Sequence, residues 1–294
     1  MPAGSPPALR PAFSPPRYLF ESGTVERLLA LAGEGGEGDP DPLLGASALR
    51  VLGVLCATAA APGASWAPAD GAAVVARFLK AALAHAAAAA DGSSYAASHA
   101  VASFVASAPA AAAAVLADKD LAVAWLALPY KPEARAARLH AVAAALAGGG
   151  SDPRRLELLL AFGSANEKAS AMHVLRPLVA SPSDEVRRAA MDCVRAACDL
   201  GPAGVALVFA HDGFAEWLLD RSTEDSKLGK EWKFSVVEAA MGRRAAALGA
   251  SGDSDGRAAT LAQSVREALE IVLKQGPHFL DASRRPPEVL DAHE

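Results

Sequence analysis

A glycine-rich segment near the start of the sequence has the residue types of a nucleotide-binding loop. Gly33, Gly35 and Gly38 fit the G-x-G-x-x-G spacing with which a loop between a strand and a helix holds a pyrophosphate. Here the glycines follow a predicted helix instead of a strand, and Asp39 and Asp41 come shortly after them. Because these carboxylates would repel a phosphate, we interpret the segment as a loop without a bound nucleotide.

A second segment, residues 253–256, has the Asp-Ser-Asp-Gly order that resembles the start of a calcium-binding loop. In a calcium loop the glycine is the sixth residue, and a bidentate Glu is the twelfth. Here the glycine is the fourth residue, and the twelfth position is Ser264. We therefore interpret this segment as an acidic linker and expect no bound metal.

The cysteines and histidines form no catalytic or metal-binding pattern. Cys193 and Cys198 are five residues apart on one predicted helix, about 140° around its axis, so we expect both to be buried small hydrophobic residues. The sequence contains neither an H-E-x-x-H motif nor a G-x-S-x-G motif. We therefore expect no catalytic residue, no cofactor and no metal. An enzyme is the least favoured class, and it stays an alternative only because a fold can bring distant residues together. The histidines stand apart along the chain at His85, His99, His140, His173, His211, His278 and His293.

The composition predicts a helical protein that binds neither nucleic acid nor a membrane. Apolar residues form 52% of the 294 residues and aromatic residues only 5%, and Ala accounts for most of the difference. The net charge of −5 is spread along the chain, without the basic block that nucleic acid would require. The uncharged stretch from Ala100 to Ala117 is mostly Ala and Ser and contains Pro109, so we read it as a soluble helix. Three scattered cysteines favour a reducing compartment, and we expect a cytoplasmic location, with a nuclear one in addition left open.

The clearest helix is predicted between Ser183 and Leu200. Its buried face follows the helical period at Val186, Ala189, Ala190, Cys193, Val194 and Ala197. Ser181 is the predicted start signal and Gly201-Pro202 the stop signal. The opposite face is expected to be solvated and carries Arg187, Arg188, Asp192 and Arg195.

Gly and Pro residues divide the rest of the chain into further helices at intervals that suit repeats of about 40 residues. No segment shows the period-2 alternation of a strand. The predicted helices are Thr24–Ala32, Leu43–Ala61, Ala69–Ala90, Ser94–Leu116, Leu121–Leu128, Glu133–Ala147, Pro153–Phe162, Glu167–Ala180, Leu228–Leu248 and Arg257–Lys274.

Two strings in this pattern resemble known helical repeats. Residues 182–190, Pro-Ser-Asp-Glu-Val-Arg-Arg-Ala-Ala, resemble the second helix of a HEAT repeat, and residues 212–219 resemble the short Gly-led helix of an armadillo repeat. The predicted fold is therefore all-α, a right-handed α-solenoid of armadillo/HEAT-like repeats in residues 21–276. Residues 1–20 are expected to be a disordered Pro-rich leader, and residues 277–294 a flexible tail.

The segment from Asp212 to Ala239 differs from its Ala-rich surroundings in its density of charged and aromatic residues. We predict that it forms the partner-binding end of the protein. Lys residues recur there every three positions and are expected to form a solvated row on one side of a helix. In the alternative interpretation the apolar residues are ordinary core and Asp220 with Arg221 only ties adjacent helices together. The candidate partner-binding residues are Glu216, Asp220, Arg221, Glu224, Lys227, Lys230 and Lys233.

The same segment resembles the C-terminal portion of the non-ATPase regulatory subunit 5 family of the 26S proteasome. The resemblance extends over about Asp152 to Pro277 and includes Gly276-Pro277 followed by the aromatic Phe279. The residues that carry it in the segment are Gly213, Phe214, Glu216, Asp220, Arg221, Ser222, Glu224, Lys227, Lys230, Lys233, Phe234, Val237 and Ala239.

The resemblance implies an assembly chaperone that grips ATPase subunits of the proteasome base while the regulatory particle is built. It implies base ATPase subunits and associated base subunits as partners, and no small-molecule substrate. The alternative function is a generic armadillo/HEAT scaffold or transport adaptor for another protein cargo, because an extended helical array binds proteins of many kinds.

Overall fold

The computed structural model describes residues 18–19, 21–33, 41–60, 71–87, 92–107, 109–147, 152–242 and 261–278. These residues contain α-helices and one short 3-10 helix, and no strand occurs among them. The predicted all-helical class is therefore confirmed. The helices are α1 (Thr24–Leu31), α2 (Pro42–Ala60), α3 (Gly71–Ala87), α4 (Gly92–Ser107), α5 (Pro109–Ala117), α6 (Lys119–Leu126), α7 (Pro132–Leu146), α8 (Pro153–Ala165), α9 (Ala171–Leu178), α10 (Asp184–Asp199), α11 (Pro202–Phe209), α12 (Phe214–Leu219), the 3-10 helix Arg221–Thr223, α13 (Lys227–Ala240) and α14 (Gln263–Gln275).

The helices pack as a row with a second set of helices along it. Helices α2, α4, α7, α10 and α13 contact one another in succession and form what we call the central layer. Their first residues lie 40 to 52 positions apart in the sequence. The outer helices include α1, α3, α6 and α8, of which α1 contacts α3, α3 contacts α6, and α6 contacts α8. This arrangement is that of a helical repeat array, in which each unit buries its apolar face against its neighbours.

Small residues let the helices of the central layer approach closely. A Cβ atom on Gly53 of α2 would lie 2.9 Å from the backbone oxygen of Ala100 on α4, which is closer than van der Waals contact allows. Many of the buried residues in these helices are Ala, and the largest fully buried side chains include Trp125, Phe78 and Phe104. The Ala-rich composition therefore serves both helix formation and close helix packing.

Helix ends follow the Pro and Gly signals of the sequence, with one correction at α10. The side chain of Ser183, and not that of Ser181, caps this helix by accepting from the backbone N–H of Val186 at 3.5 Å. Ser181 lies two residues earlier, where its hydroxyl accepts from the backbone N–H of Ser183. Gly201 ends the helix with a φ of 95°, a left-handed conformation that favours glycine.

Four predicted helices were wrong in their extent. The helix predicted over Arg257–Lys274 begins only at Gln263, after residues 261–262, which are not helical. The helix predicted over Ser94–Leu116 is divided into α4 and α5, because Pro109 has no backbone N–H to continue the hydrogen-bond ladder and disfavours helix before it. The helix predicted from Glu167 begins only at Ala171, after Glu167 with a φ of 56°. Helix α13 ends at Ala240, two residues before Gly242 with a φ of 71°, and residues 243–248 of the predicted Leu228–Leu248 helix lie outside the described residues.

Helix α11 was missed because Gly201-Pro202 was interpreted only as a stop signal. Pro is well tolerated at the first position of a helix, where its missing N–H would have no partner in any case. Pro202 occupies that position here, and the residues after it are almost all apolar. One dipeptide therefore ends α10 and begins α11.

The predicted solvated face of α10 is also only partly solvated. Arg188 is exposed as expected, but the side chains of Arg187, Asp192 and Arg195 are only 18%, 26% and 24% exposed. They contact residues of neighbouring helices or of their own helix, because α10 packs between α7 and α13 in the central layer.

No helix among the described residues has both the length and the hydropathy to cross a bilayer.

The predicted leader, residues 1–20, falls almost entirely outside the described residues, as do residues 279–294 of the predicted tail. Leu19, at the end of the leader range, packs partly buried against the core.

Candidate functional site

The predicted partner-binding segment folds into α12, the 3-10 helix and the first part of α13. Gly213 begins α12 in a left-handed conformation with a φ of 73°. Asp220 then caps the 3-10 helix by accepting from the backbone N–H of Ser222 at 2.9 Å. Ser226 caps α13 in the same way by accepting from the backbone N–H of Gly229 at 2.9 Å. The polar residues that distinguish this segment therefore set its sharp turns.

Lys233 is the most deeply placed of the candidate residues. The sequence analysis expected it in a solvated row, and that expectation was wrong, because only 5% of the residue is exposed. Its ammonium group donates to the carbonyl oxygens of Trp217 at 2.6 Å and Asp220 at 2.7 Å and to the hydroxyl of Thr223 at 2.7 Å. The ammonium also lies 4.6 Å from the centroid of the Trp217 ring. Lys233 thus ties α13 to the end of α12 and to the 3-10 helix.

Burial changes the acid–base chemistry of Lys233. It lowers the pKa of the amine to about 8, because the charged form loses solvation, although Asp220 and Glu224 nearby oppose the change. Three hydrogen-bond acceptors around the ammonium match its three N–H donors, so the charged form is well satisfied near neutral pH.

Glu224 forms the second tie of the segment. Only 6% of this residue is exposed, and its carboxylate lies 3.1 Å from Nε of Arg187 on α10. The same Arg187 donates to the carbonyl oxygen of Ser181 at 3.0 Å. The carboxylate packs over Gly229, where a Cβ atom would collide with it. Glu224 therefore connects the turn before α13 to the central layer, and the absence of a side chain at Gly229 makes room for it.

Arg221 forms the third tie and connects the segment to α14. Its guanidinium donates to the side chain of Gln275 at 3.2 Å and to the carbonyl oxygen of Gly276 at 3.1 Å. Burial lowers the pKa of this guanidinium, which nevertheless remains charged at physiological pH. Gly276 has a φ of 80°, so it ends α14 in a conformation that favours glycine and leaves its carbonyl oxygen for Arg221.

The three ties border an open cleft between the 3-10 helix, α13 and α14. Half-buried apolar side chains of Leu219, Phe234 and Val272 contribute to its lining, and Arg221 and Lys230 contribute positive charge. The other lining residues are Leu218, Glu224, Lys233, Val237, Gly276 and Pro277. Such a cleft can accept an apolar side chain with a carboxylate close to it.

The structure thus divides the candidate residues into two groups. Arg221, Glu224, Lys230 and Lys233 line the cleft, and Asp220 contributes a carbonyl oxygen to the Lys233 tie. Glu216 is exposed on α12, and the 76% exposed side chain of Lys227 lies 4.0 Å from Glu231, one turn along α13. The three lysines differ in exposure, because a spacing of three residues winds around the helix. Lys227 lies on the exposed side of α13, Lys230 is half-buried and Lys233 lies on the buried side.

A second cation at the Trp217 ring was not predicted from the sequence. The guanidinium of Arg176 on α9 lies 5.0 Å from the centroid of the Trp217 ring, so this ring contacts two cations from different helices. No local signal identifies such a pair, since it depends on how α9, α12 and α13 pack. The burial of Lys233, in contrast, was readable, because Gly229, Lys233, Val236 and Ala240 follow the helical period.

The structure describes only the start of the glycine-rich segment and none of the acidic segment, but it describes both cysteines of α10. Gly33 follows helix α1 with a φ of 89°, and residues 34–40 and the acidic segment 253–256 lie outside the described residues. Cys193 and Cys198 are buried, as predicted, and both are in the thiol form. Burial raises the pKa of Cys193 far above its usual value. Among the described residues, no group of three or more His, Cys, Asp or Glu side chains is placed to hold a metal ion.

The histidines do not all stand apart in space. The rings of His173 and His211 lie 5.0 Å apart between centroids, and His140 contacts Asp192. Each pair joins residues that are far apart in the sequence, so only the packing of the helices brings them together.

Comparison with protein families connects this region to the proteasome. Residues 162–264 match the family model for the proteasome non-ATPase 26S subunit. The match spans about a third of the chain and includes α9 to α13 together with the 3-10 helix. No curated protein matches the chain. The match relates residues 162–264 to a proteasome-related family. This range contains the Lys233 and Glu224 ties completely, whereas Gln275 and Gly276, the partners of Arg221 in the third tie, lie outside it.

Proposed function

We propose that the chain is a protein-binding assembly chaperone for the base of the 26S proteasome regulatory particle, and that it holds an ATPase subunit of the base. The observation that carries the proposal is the family match over residues 162–264, which contains the α12, 3-10 and α13 part of the cleft. The resemblance of the same region to the regulatory subunit 5 family supports the chaperone role.

The architecture suits a holding function. We propose that the helical array is a right-handed solenoid of armadillo/HEAT-like repeats, which the 40 to 52-residue spacing of the central helices supports. Such arrays offer long open surfaces, and partners dock on them without an enclosed pocket. In this proposal the chain acts by binding and not by catalysis, in the cytoplasm, with a nuclear location left open.

The cleft defines the chemistry of the contact. Leu219, Phe234 and Val272 would take up an apolar side chain of the ATPase subunit. Lys230 and Arg221 would contact an acidic side chain next to it. The buried Lys233 holds the shape of the cleft, since its hydrogen-bonding capacity is used within the chain.

A capture experiment with each purified base ATPase subunit tests the proposal. The full chain is immobilised and compared with a Lys227→Glu/Lys230→Glu variant, which leaves the buried Lys233 intact. We expect one subunit to be captured, and the variant to bind it about threefold to tenfold more weakly at low salt, with a smaller difference at high salt.

The matched control is Lys119→Glu/Lys131→Glu. It reverses the charge of two exposed lysines at the starts of α6 and α7, outside the Asp212 to Ala239 segment. It should bind as the unchanged chain does. If no base ATPase subunit is captured and an unrelated protein is recovered from cells instead, the chain is a scaffold or transport adaptor and the proposal is overturned. Equal weakening by the control variant would place the contact outside the cleft.

A further inference from the structure

We propose that the exposed face of the central layer is a second binding surface, which takes an acidic polypeptide segment through a cationic strip. The strip consists of Arg50 on α2, His99 on α4, His140 on α7, and Arg188 and Arg195 on α10. It lies on helices other than those that line the cleft, and the inference does not depend on which protein the cleft binds.

The strip is continuous across four packed helices. His99 is close enough to both His140 and Arg50 for their charges to act on it. His140 in turn donates from Nδ1 to the carboxylate of Asp192 at 3.2 Å. Arg195 lies 3.3 Å from the same carboxylate, and Arg188 is also within electrostatic range of it. Since α2, α4, α7 and α10 follow one another in the central layer, these groups follow one another across it.

The strip has an excess of positive charge. Asp192 is the carboxylate that the structure places within it, and His140 and Arg195 already contact that carboxylate. Burial alone would raise the pKa of Asp192, but the hydrogen bond from His140 and the charges of Arg195 and Arg188 outweigh it and hold that pKa below its usual value. Within the described residues, the exposed guanidinium groups of Arg50 and Arg188 make no hydrogen bond or ion pair. In a chain with a net charge of −5, this local excess is a distinct feature.

The charge pattern fits an extended acidic peptide. Guanidinium groups bind carboxylates with two parallel hydrogen bonds. Four helices packed about 8 to 10 Å apart span roughly 25 to 30 Å, which an extended peptide of about eight or nine residues covers. A nucleic acid fits less well, because the chain has a net charge of −5 and its sequence contains no basic block interleaved with aromatic residues.

The strip also responds to pH. Burial, together with the neighbouring His140 and Arg50, lowers the pKa of His99, so this imidazole gains its charge only below its usual range. The groups that face it are His140 on α7 and Arg50 on α2, and Asp192 on α10 stands behind His140. The positive charge of the strip therefore increases only as the pH falls below the usual range of a histidine.

Fluorescence anisotropy with a labelled poly-glutamate peptide of about twelve residues tests the strip on the full chain. An Arg50→Gln/Arg188→Gln variant should bind the peptide about threefold to tenfold more weakly. Both side chains are exposed, so the thermal unfolding of the variant should match that of the unchanged chain. The matched control, Arg27→Gln/Arg154→Gln, removes two exposed arginines from the outer helices α1 and α8 and should leave the affinity unchanged.

A second measurement compares the unchanged chain with His99→Gln at about pH 7.5 and about pH 5. The affinity of the unchanged chain relative to that of His99→Gln should rise at the lower pH, because protonation of the peptide itself affects both proteins alike. Equal affinities of the strip variant and the control variant would overturn the proposal. A single-stranded oligonucleotide that binds more tightly than the peptide, with the same loss in the strip variant, would also overturn it and make the strip a nucleic-acid site.

Discussion

The two halves of the helical array are held together by different kinds of contact. Helices α2 to α5 pack mainly through small apolar residues, as the close approach of Gly53 and Ala100 shows. Helices α9 to α14 are connected in addition by buried charged side chains. Lys233 joins α13 to α12, and Glu224 joins the turn before α13 to α10. The same helical architecture thus accommodates apolar packing and buried charged contacts. Only the charged contacts hold the side chains of a cleft in defined positions.

The difference coincides in part with the family match. Residues 162–264 include the Lys233 and Glu224 ties, and the Ala-rich helices α2 to α5 lie outside the match. The buried Arg138 and Arg155 also lie outside it, and Arg155 donates to the carbonyl oxygen of Ala106 in α4. Apolar packing accepts many residue types of similar volume, while a buried ion pair or ammonium requires particular partners. A specific sequence pattern is therefore expected where the polar ties are.

The largest effect should come from the apolar half. Phe104 is 1% exposed in α4, and its ring packs edge to face on Phe78 with 5.9 Å between centroids. Phe104→Ala should lower the free energy of unfolding by about 3 to 5 kcal/mol, because it leaves a cavity between central and outer helices. Urea denaturation measures the loss, with Val123→Ala at a half-exposed position of α6 as the control. A loss below about 1 kcal/mol would show that the Ala-rich half closes readily around a cavity.

A smaller, pH-dependent effect should come from Lys233. Lys233→Met leaves three acceptors without their donor and should lower the free energy of unfolding by about 2 kcal/mol near neutral pH. The pKa of Lys233 is about 8 in the folded chain and about 10.5 when unfolded. Between these values the unfolded state binds more protons, so the stability of the unchanged chain rises with pH and that of the variant lacks this gain.

The stability difference between the two proteins should therefore widen by about 1 to 2 kcal/mol between about pH 7 and about pH 9.5. Paired urea denaturation at both pH values measures it, and groups that titrate alike in both proteins cancel. A difference that stays constant or narrows would mean that burial does not lower the pKa of this amine.

The smallest effect should come from the ion pair between Glu26 and Arg77 in the apolar half. The two side chains meet at 2.8 Å but are 59% and 40% exposed. The hydrogen bond from Arg77 lowers the pKa of Glu26, yet solvent screens the pair. Glu26→Gln should change the free energy of unfolding by about 0.5 kcal/mol or less. A loss as large as that of Lys233→Met, measured in the same urea series, would remove the distinction between the two halves.

Sequence reasoning located most helices, because Gly and Pro act within a few residues of where they stand. It failed where the outcome depends on helix packing. The periodicity of α13 could have placed Lys233 inside, but a charged residue on an apolar face is normally taken as solvated. The contact of His140 with Asp192 joins two helices whose adjacency no local pattern reveals. The Pro109 break was readable, since the residue before a proline disfavours helix.

The most direct test of the central claim is amide hydrogen exchange on the full chain, alone and with a captured base ATPase subunit. The 3-10 helix has few backbone hydrogen bonds, so its amides should exchange quickly in the free chain. If the cleft holds the subunit, exchange should slow at residues 220–230 and at the end of α14, and stay unchanged in α3. A complex that forms without any change at residues 220–230 would contradict the account.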